Sequence, residues 1–334
     1  MIPFRCKARS VTTRVLAGVL GGLTLLGGVA AAQTQMGDPD FTPTVPSPAY
    51  PDGGPTVVLD EAHGSDQTID GRYRAFAAVL GADGYDVVRG TTRFDEGGLD
   101  QVNVLVIANA AALPPEEGGP SAFTESEIDA LDAWVRAGGA LLLAADHAPH
   151  GDAAAPLAAR FGVGMGKGYA FRLTETGLTT TLDYDLDPDR AEAHPILRGR
   201  SVAERVRRVR AFTGQSLSPP LDAEVLLPMA DGRWEGADRD VLGVIRERMA
   251  ADEDVAAVLS DLAVPIVDGA QGLALQHGDG RVVVLGEAGM LTAQLIRFPP
   301  EDQREDIRFG LTTPGHDNQQ FLLNILHWLS GDLD

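Results

Sequence analysis

The sequence predicts an α/β domain built on an open, mostly parallel β-sheet with helices on both faces. Strand patterns and helix patterns alternate along the chain from residue 56 onwards, which is typical of parallel sheets whose strands are joined by helices. The strands are continuous apolar runs, such as residues 102–108 and 140–145. Runs of this kind indicate strands that are covered on both sides.

The first half of the predicted domain contains four strands and three helices. The strands are expected at residues 56–59, 85–88, 102–108 and 140–145. The helices are expected at residues 73–80, 124–137 and 152–161. Thr124 and Glu127 form a capping-box pattern at the start of the second helix, and Asp152 is expected to cap the third.

The second half is less regular. Two strands are expected at residues 206–212 and 224–227, followed by an acidic surface insertion with a helix at 237–263. A hairpin is expected at residues 273–285 and a terminal helix at 321–329. Asp279-Gly280 lies between two apolar runs and predicts the hairpin turn. No domain break follows residue 56, so residues 56–334 are expected to form a single domain with an insertion at about residues 170–265.

Residues 1–32 have the pattern of a secretory signal peptide: a basic start, an apolar run over 15–29, and small residues at 30–32 before Gln33. The apolar run is short and glycine-rich for a transmembrane anchor, and Cys6 precedes it. We therefore expect cleavage, no stable membrane anchor, and a secreted or periplasmic protein.

Residues 33–55 contain six prolines, at positions 39, 43, 46, 48, 51 and 55. Proline removes a backbone donor and fixes φ, so this density disfavours regular hydrogen-bonded ladders. The segment is expected to be an extended linker, with the folded domain beginning near Thr56.

Charge and cysteine content exclude several classes of function. The chain has 48 acidic and 27 basic residues, and a formal net charge of −21. Because such a surface repels phosphate backbones and anionic lipid, nucleic acid is not expected as a partner. The single cysteine, Cys6, lies in the leader, so the mature chain is expected to have no disulfide, no thiol nucleophile and no cysteine metal site.

Polar residues follow three predicted strands at the ends where ligands bind in open parallel sheets. We predict catalytic roles for Glu61, His63, Asp146, His147 and Glu287. We predict ligand-binding roles for Asp60 and His150, and for two residues at the start of the terminal helix, His316 and Asn318. The structural alternative is that the carboxylates cap helices and the histidines bond loop backbone.

Two chemistries fit these residue types. A histidine with a carboxylate can act as a general acid–base couple. The same groups can bind a divalent metal ion, for which His63, His147 and His150 are the candidate ligands. The spacing matches no specific metal motif and no G-x-S-x-G motif occurs, so a metal is only a candidate cofactor and no other cofactor is expected.

The sequence resembles the class I glutamine amidotransferase-like superfamily, whose fold is flavodoxin-like. The resemblance covers about residues 56–165 and 270–331. It rests on the first strand ending in Asp60, on residues 102–110, and on the helix and strand over 123–154. The segments 282–294 and 316–331 resemble an exported bacterial branch that lacks the catalytic cysteine.

The chain departs from that superfamily at the nucleophile. The resemblance implies that Asp146 and His147 lie where the amidotransferases hold their catalytic cysteine. Because the mature chain is expected to contain no thiol, glutaminase chemistry is excluded.

Three functions follow from these observations. The first is an exported hydrolase-like enzyme acting on a small polar or carbohydrate-related substrate. The second is a non-catalytic carbohydrate- or cell-envelope-binding domain on the same fold, for which Trp234 is a candidate stacking residue. The third is a structural or interaction domain of the cell envelope, which would expose a broad apolar patch.

We expect the exported protein to begin at Gln33, because the small residues before it satisfy signal peptidase. Intact-mass analysis of the protein recovered outside the cytoplasm checks this. A mass that still includes residues 1–32 would contradict it.

Overall fold

The computed structural model describes residues 34–117, 119–175, 177–229, 232–299 and 305–334, so the predicted signal peptide lies outside the described residues. Ten strands precede residue 213: β1 Thr34–Gly37, β2 Thr56–Asp60, β3 Asp86–Gly90, β4 Val104–Ala108, β5 Ala140–Ala144, β6 Gly164–Met165, β7 Tyr169–Thr174, β8 Gly177–Thr179, β9 Thr181–Asp185 and β10 Arg208–Phe212. Eight follow within the described ranges: β11 Leu217–Ser218, β12 Glu224–Met229, β13 Arg233–Gly236, β14 Ala263–Pro265, β15 Gly269–His277, β16 Gly280–Leu285, β17 Ala293–Arg297 and β18 Ile307–Gly310.

Eight α-helices accompany these strands in the described part of the chain. They are α1 Arg74–Asp83, α2 Glu125–Arg136, α3 His150–Arg160, α4 Pro188–Ala193, α5 Pro195–Arg198, α6 Arg239–Ala250, α7 Val255–Leu262 and α8 Asn318–Ser330.

The central sheet has the strand order β3-β2-β4-β5-β16-β15-β11-β6, and β12 also pairs with β15. The pairs along β3-β2-β4-β5-β16 are all parallel. The hairpin β15–β16 and the strands beyond it are antiparallel. This confirms the predicted fold class: a mostly parallel α/β sheet, with additional antiparallel strands from the second half.

Alternate residues of each parallel strand pack into different cores. Leu142 of β5 packs in the core formed with α1 and α8. Its neighbours Leu141 and Leu143 pack in the core formed with α2 and α3. All three are fully buried, so the sheet is covered by helices on both faces, as the continuous apolar runs predict.

Of the two predicted helix caps, one is confirmed and one is wrong. Thr124 accepts a hydrogen bond from the N–H of Glu127, and the Glu127 side chain bonds back to the Thr124 N–H, so the predicted capping box is present. The prediction that Asp152 caps α3 is wrong, because α3 begins at His150 and Asp152 lies inside its first turn. The chain already turns at His147, whose carbonyl accepts the N–H of His150 at 3.1 Å.

The insertion forms a small layer of its own. Strands β14-β13-β7-β8 make a four-stranded antiparallel sheet. One helix was expected here, but two are present, because Asp254 starts α7 by accepting the N–H of Ala257 at 2.9 Å. Apolar residues of β7, α6 and α7 form a separate core, including Phe171, Ile245 and Val258.

The proline-rich segment has more contacts than a free linker. Strand β1 pairs with β17, and the Ala49 N–H donates to Asp83 at 2.8 Å. The ring of Tyr50 meets the ring of Tyr85 edge-on at 4.8 Å. The residues between 34 and 55 therefore lie against the α/β domain, although no regular ladder forms after β1. Among the described helices, none has the length and apolarity needed to span a bilayer.

Candidate functional site

A polar cavity of about 380 Å³ lies at the carboxyl ends of the parallel strands. Four of the predicted site residues line it: Asp146, His147, His150 and Glu287. The remaining lining residues are Gln35, Asp66, Gln67, Arg72, Asn109, Phe212, Thr213, Arg239, Gly289, Gln294, Ile296 and Phe309. The loops after β2, β4, β5 and β16 thus meet at one cavity, as the fold predicts.

Asp146 joins the ends of three neighbouring strands. One carboxylate oxygen accepts the side-chain N–H of Asn109, after β4, at 2.6 Å. The other accepts the backbone N–H of Ala288, after β16, at 2.9 Å. The Asp146 N–H donates back to Asn109 at 2.8 Å, so the carboxylate is held in one orientation at the cavity wall.

The loop that carries Asp146 is held in place by hydrogen bonds from the side chain of Gln215. This side chain is fully buried, and its amide N–H₂ donates to the carbonyls of Ala145 and Asp146, each at 2.9 Å. Its carbonyl oxygen accepts the N–H of Lys167 at 2.8 Å. Because each of these bonds is to backbone, Gln215 positions the loop.

Glu287 is a buried acid at the cavity wall. Its side chain is 2% exposed, and one oxygen accepts the N–H of Met290 at 2.7 Å. Burial and the nearby charge of Asp146 raise the pKa of Glu287 well above its ordinary value. Burial and a neighbouring negative charge both disfavour the ionised carboxylate, so this environment favours the protonated form of Glu287.

His147 is a neutral base in the same wall. Its ring stacks on Tyr169 with centroids 3.5 Å apart, and Nδ1 lies 3.0 Å from the carbonyl oxygen of Ala148. Since a carbonyl only accepts, Nδ1 carries the hydrogen and Nε2 the lone pair. Burial lowers the pKa of His147, in spite of the Ala148 bond and the charge of Asp146.

The residues after β2 belong to a different place. Asp60 and His63 are buried and do not line the cavity. Nδ1 of His63 bonds Asp60 at 2.9 Å and Nε2 bonds Glu127 at 2.8 Å. Arg93 completes this buried ion cluster by bonding Glu127 at 2.5 Å.

The side chain of Glu61 is also bonded to other residues of the chain. Its carboxylate accepts the N–H of Ile69 at 2.8 Å and lies 3.8 Å from Arg89. It holds the loop after β2 and is outside the cavity lining.

His316 and Asn318, near the start of α8, bond to residues of β9 and β10. His316 bonds Asp183 at 3.1 Å, beside Arg210, and the Arg210 bond together with His316 lowers the pKa of Asp183 to about 2. Asn318 is 1% exposed and bonds the backbone N–H and carbonyl of Arg210 at 3.0 and 2.8 Å. Neither residue lines the cavity.

The predicted metal-ligand set does not assemble. Both ring nitrogens of His63 are occupied by Asp60 and Glu127, whereas His147 and His150 line the cavity. Within the described ranges, no group of three or more His, Cys, Asp or Glu side chains is arranged to hold a metal ion. The proposal of His63, His147 and His150 as one ligand set is therefore corrected.

Several cavity residues were not predicted. Asn109 could have been, since it directly follows a predicted buried strand. Gln35 and Arg239 come from β1 and α6, outside the main sheet, and local sequence gives no signal for them. Trp234, the candidate stacking residue, packs with the core of the insertion and does not line the cavity.

Comparison with known proteins supports the fold. No family model and no curated protein matches the chain. Among solved structures, the mmIFT52 N-terminal domain is similar with a TM-score of 0.50 and 12% identity, over 82% of this chain and 97% of that chain. At this identity the likeness shows the fold alone.

Two further solved structures are similar at lower scores. A protein described as ThuA-like from Bacteroides uniformis has a TM-score of 0.43 and 13% identity, over 88% of this chain and 95% of that chain. A protein described as part of a GMP synthase from Thermoplasma acidophilum has a TM-score of 0.38 and 10% identity, over 82% of this chain and 95% of that chain. The resemblance to the class I glutamine amidotransferase-like superfamily therefore rests on the sequence motifs and not on these two structures.

The buried cluster around His63 predicts a pH-dependent stability. Burial lowers the pKa of His63, but the bonds to Asp60 and Glu127 raise it. The net result is a pKa above the ordinary value. The stabilisation is therefore complete below the ordinary histidine pKa of about 6.5 and is lost as pH rises through the higher folded value. We expect His63→Gln to cost about 3 kcal/mol near pH 6, and less at alkaline pH.

Urea unfolding of both proteins across this pH range measures the difference. His277→Gln, which removes a histidine bonded to Asp132 at 2.6 Å at the hairpin, is the control. An equal loss of stability at every pH in the His63 variant would contradict the ion-cluster account.

Proposed function

We propose that this chain is an exported hydrolase-like enzyme that uses the cavity at the strand ends to cleave a small polar or carbohydrate-related substrate. One observation carries the proposal: the same wall holds His147, with a lowered pKa, and Glu287, with a raised pKa. Neighbouring groups whose environments push their pKa values apart are typical of a base and an acid that act together.

His147 is the general base in this proposal. Its Nε2 lone pair takes a proton from a water molecule, and the water oxygen forms a bond to the electrophilic carbon of the substrate. Tyr169 and the Ala148 carbonyl hold the ring in place. The charge of Asp146 favours the imidazolium that results.

Glu287 is the general acid. As the bond to the leaving oxygen or nitrogen breaks, the leaving atom takes the proton of the Glu287 carboxyl. Burial and the negative charge of Asp146 support this role because both raise the pKa of Glu287. Water adds across the cleaved bond, and no thiol is needed, so the proposed reaction differs from that of a glutaminase.

The second candidate function is a non-catalytic carbohydrate- or cell-envelope-binding domain. The rings of Phe212 and Phe309 lie 4.6 Å apart in the cavity lining. Aromatic faces of this kind pack against the apolar face of a sugar ring. Turnover distinguishes the two functions, because only the enzyme releases product.

We expect His147→Gln and Glu287→Gln each to lower kcat/KM by about 10²–10⁴-fold, measured on a panel of p-nitrophenyl glycosides and esters. In the wild type, kcat/KM rises as His147 loses its proton and falls as Glu287 loses its proton, which gives a bell-shaped pH profile. The variant at His147 loses the acid limb, and the variant at Glu287 loses the alkaline limb.

The control is His277→Gln, since His277 lies at the β15–β16 hairpin and does not line the cavity. It should keep wild-type kcat/KM. Saturable binding of panel compounds without turnover would favour the binding-domain function. Turnover that survives both cavity substitutions would contradict the acid–base assignment.

A further inference from the structure

The cavity contains an arginine without a protein partner. Arg239 is the exposed first residue of α6, and in the described part of the chain its side chain has no hydrogen bond or ion pair. The other arginine of the lining, Arg72, is paired with Asp66 at 3.2 Å. In a chain with 48 acidic and 27 basic residues, an arginine has many acidic side chains available as partners.

Two further polar groups of the lining are unpartnered. The amide oxygen of Gln67 accepts no hydrogen bond, although this side chain is 2% exposed. Nδ1 of His150 is buried and has no partner either. Buried polar atoms are nearly always hydrogen-bonded, so these two atoms point to a ligand that supplies the missing bonds.

Charged residues of both signs line the cavity. The charges of Asp146, His150 and Arg239 all act on the pKa of His147, so the guanidinium lies in the same part of the lining as His147. Asp66 and Glu287 also belong to the lining. The cavity thus offers a guanidinium donor together with carboxyl groups.

We propose that the substrate is a small anionic sugar derivative, whose carboxylate or phosphate binds Arg239 and His150 and whose hydroxyl groups reach Gln67 and the carboxyl groups of the lining. This substrate class rests on the proposed function for the choice of cavity. The planar guanidinium presents donors in a fork that matches the oxygens of a carboxylate or phosphate. The hydroxyl groups supply the donors that the Gln67 oxygen lacks.

The strong negative charge of the whole chain makes this assignment specific. A general surface of this protein repels anions, so an anionic ligand binds only where a local cation compensates. Arg239 is a cation of the cavity lining that no described carboxylate neutralises. A neutral sugar would leave the Arg239 fork without an acceptor.

The test is isothermal titration of the purified protein with glucuronate, glucose-6-phosphate and glucose. We expect at least one acidic probe to bind more tightly than glucose. Arg239→Gln should weaken that probe about tenfold or more, the loss of one charge-assisted pair, and leave glucose unchanged. Comparison of glucuronate with glucose-6-phosphate shows whether a carboxylate or a phosphate is preferred.

The matched control is Arg246→Gln, two turns further along α6, which is exposed and does not line the cavity. It should bind the acidic probes like the wild type. Gln67→Leu should weaken all binding probes, because the hydroxyl groups lose an acceptor. Equal affinity for glucose and the acidic probes, binding of none of the three, or full binding by Arg239→Gln would overturn the proposal.

This experiment separates the two proposals. If an acidic probe binds through Arg239 while the chromogenic panel shows no turnover, the hydrolase assignment fails and the ligand class stands. If turnover depends on His147 and Glu287 but Arg239→Gln binds and turns over as the wild type does, the catalytic assignment stands and the ligand class fails.

Discussion

The carboxylate of Asp146 is the contact on which the site depends. Through Asn109 and the Ala288 N–H it ties together the carboxyl ends of β4, β5 and β16, which are neighbours in the sheet. Burial raises the pKa of Glu287, and the charge of Asp146 raises it further. One side chain therefore orients the cavity wall and also contributes to the raised pKa of Glu287.

The sequence was sufficient to predict the parallel sheet, because continuous apolar strands with intervening helices have few other packings. It also placed Asp146, His147, His150 and Glu287 at one edge. It did not predict that Asp60 and His63 lie outside the cavity. The difference arises where the strands end. Side chains alternate between the two faces of a strand, and Leu59, Ala144 and Leu285 face the core of α1 and α8.

Counting from those residues explains the division. Asp146 and Glu287 stand two residues beyond Ala144 and Leu285, so they continue on the side of the α1–α8 core. Asp60 stands one residue beyond Leu59 and points to the opposite face. There His63 packs between Phe94 and Phe123, at 4.7 and 4.8 Å. Parity at the strand end thus separates Asp60 from Asp146 and Glu287. Glu61, two residues beyond Leu59, is kept out of the cavity lining by its bonds to Ile69 and Arg89.

The remaining parts of the site come from long-range packing that no local pattern records. Gln35 reaches the lining because β1 pairs with β17, and its amide donates to Gln294 at 2.7 Å, 259 residues away. Arg239 arrives with the insertion. The sheet supplies the groups that we propose act as acid and base, whereas the added segments supply the groups that we propose select the ligand.

The protonation of Glu287 tests the account most directly. Infrared spectra at neutral pH, taken with and without labelled glutamate, should show a protonated carboxyl band that is absent from Glu287→Gln. In Asp146→Asn the same band should disappear at a lower pH than in the wild type, because the repelling charge is gone. A fully ionised Glu287 at neutral pH, or a band unaffected by Asp146→Asn, would contradict the account.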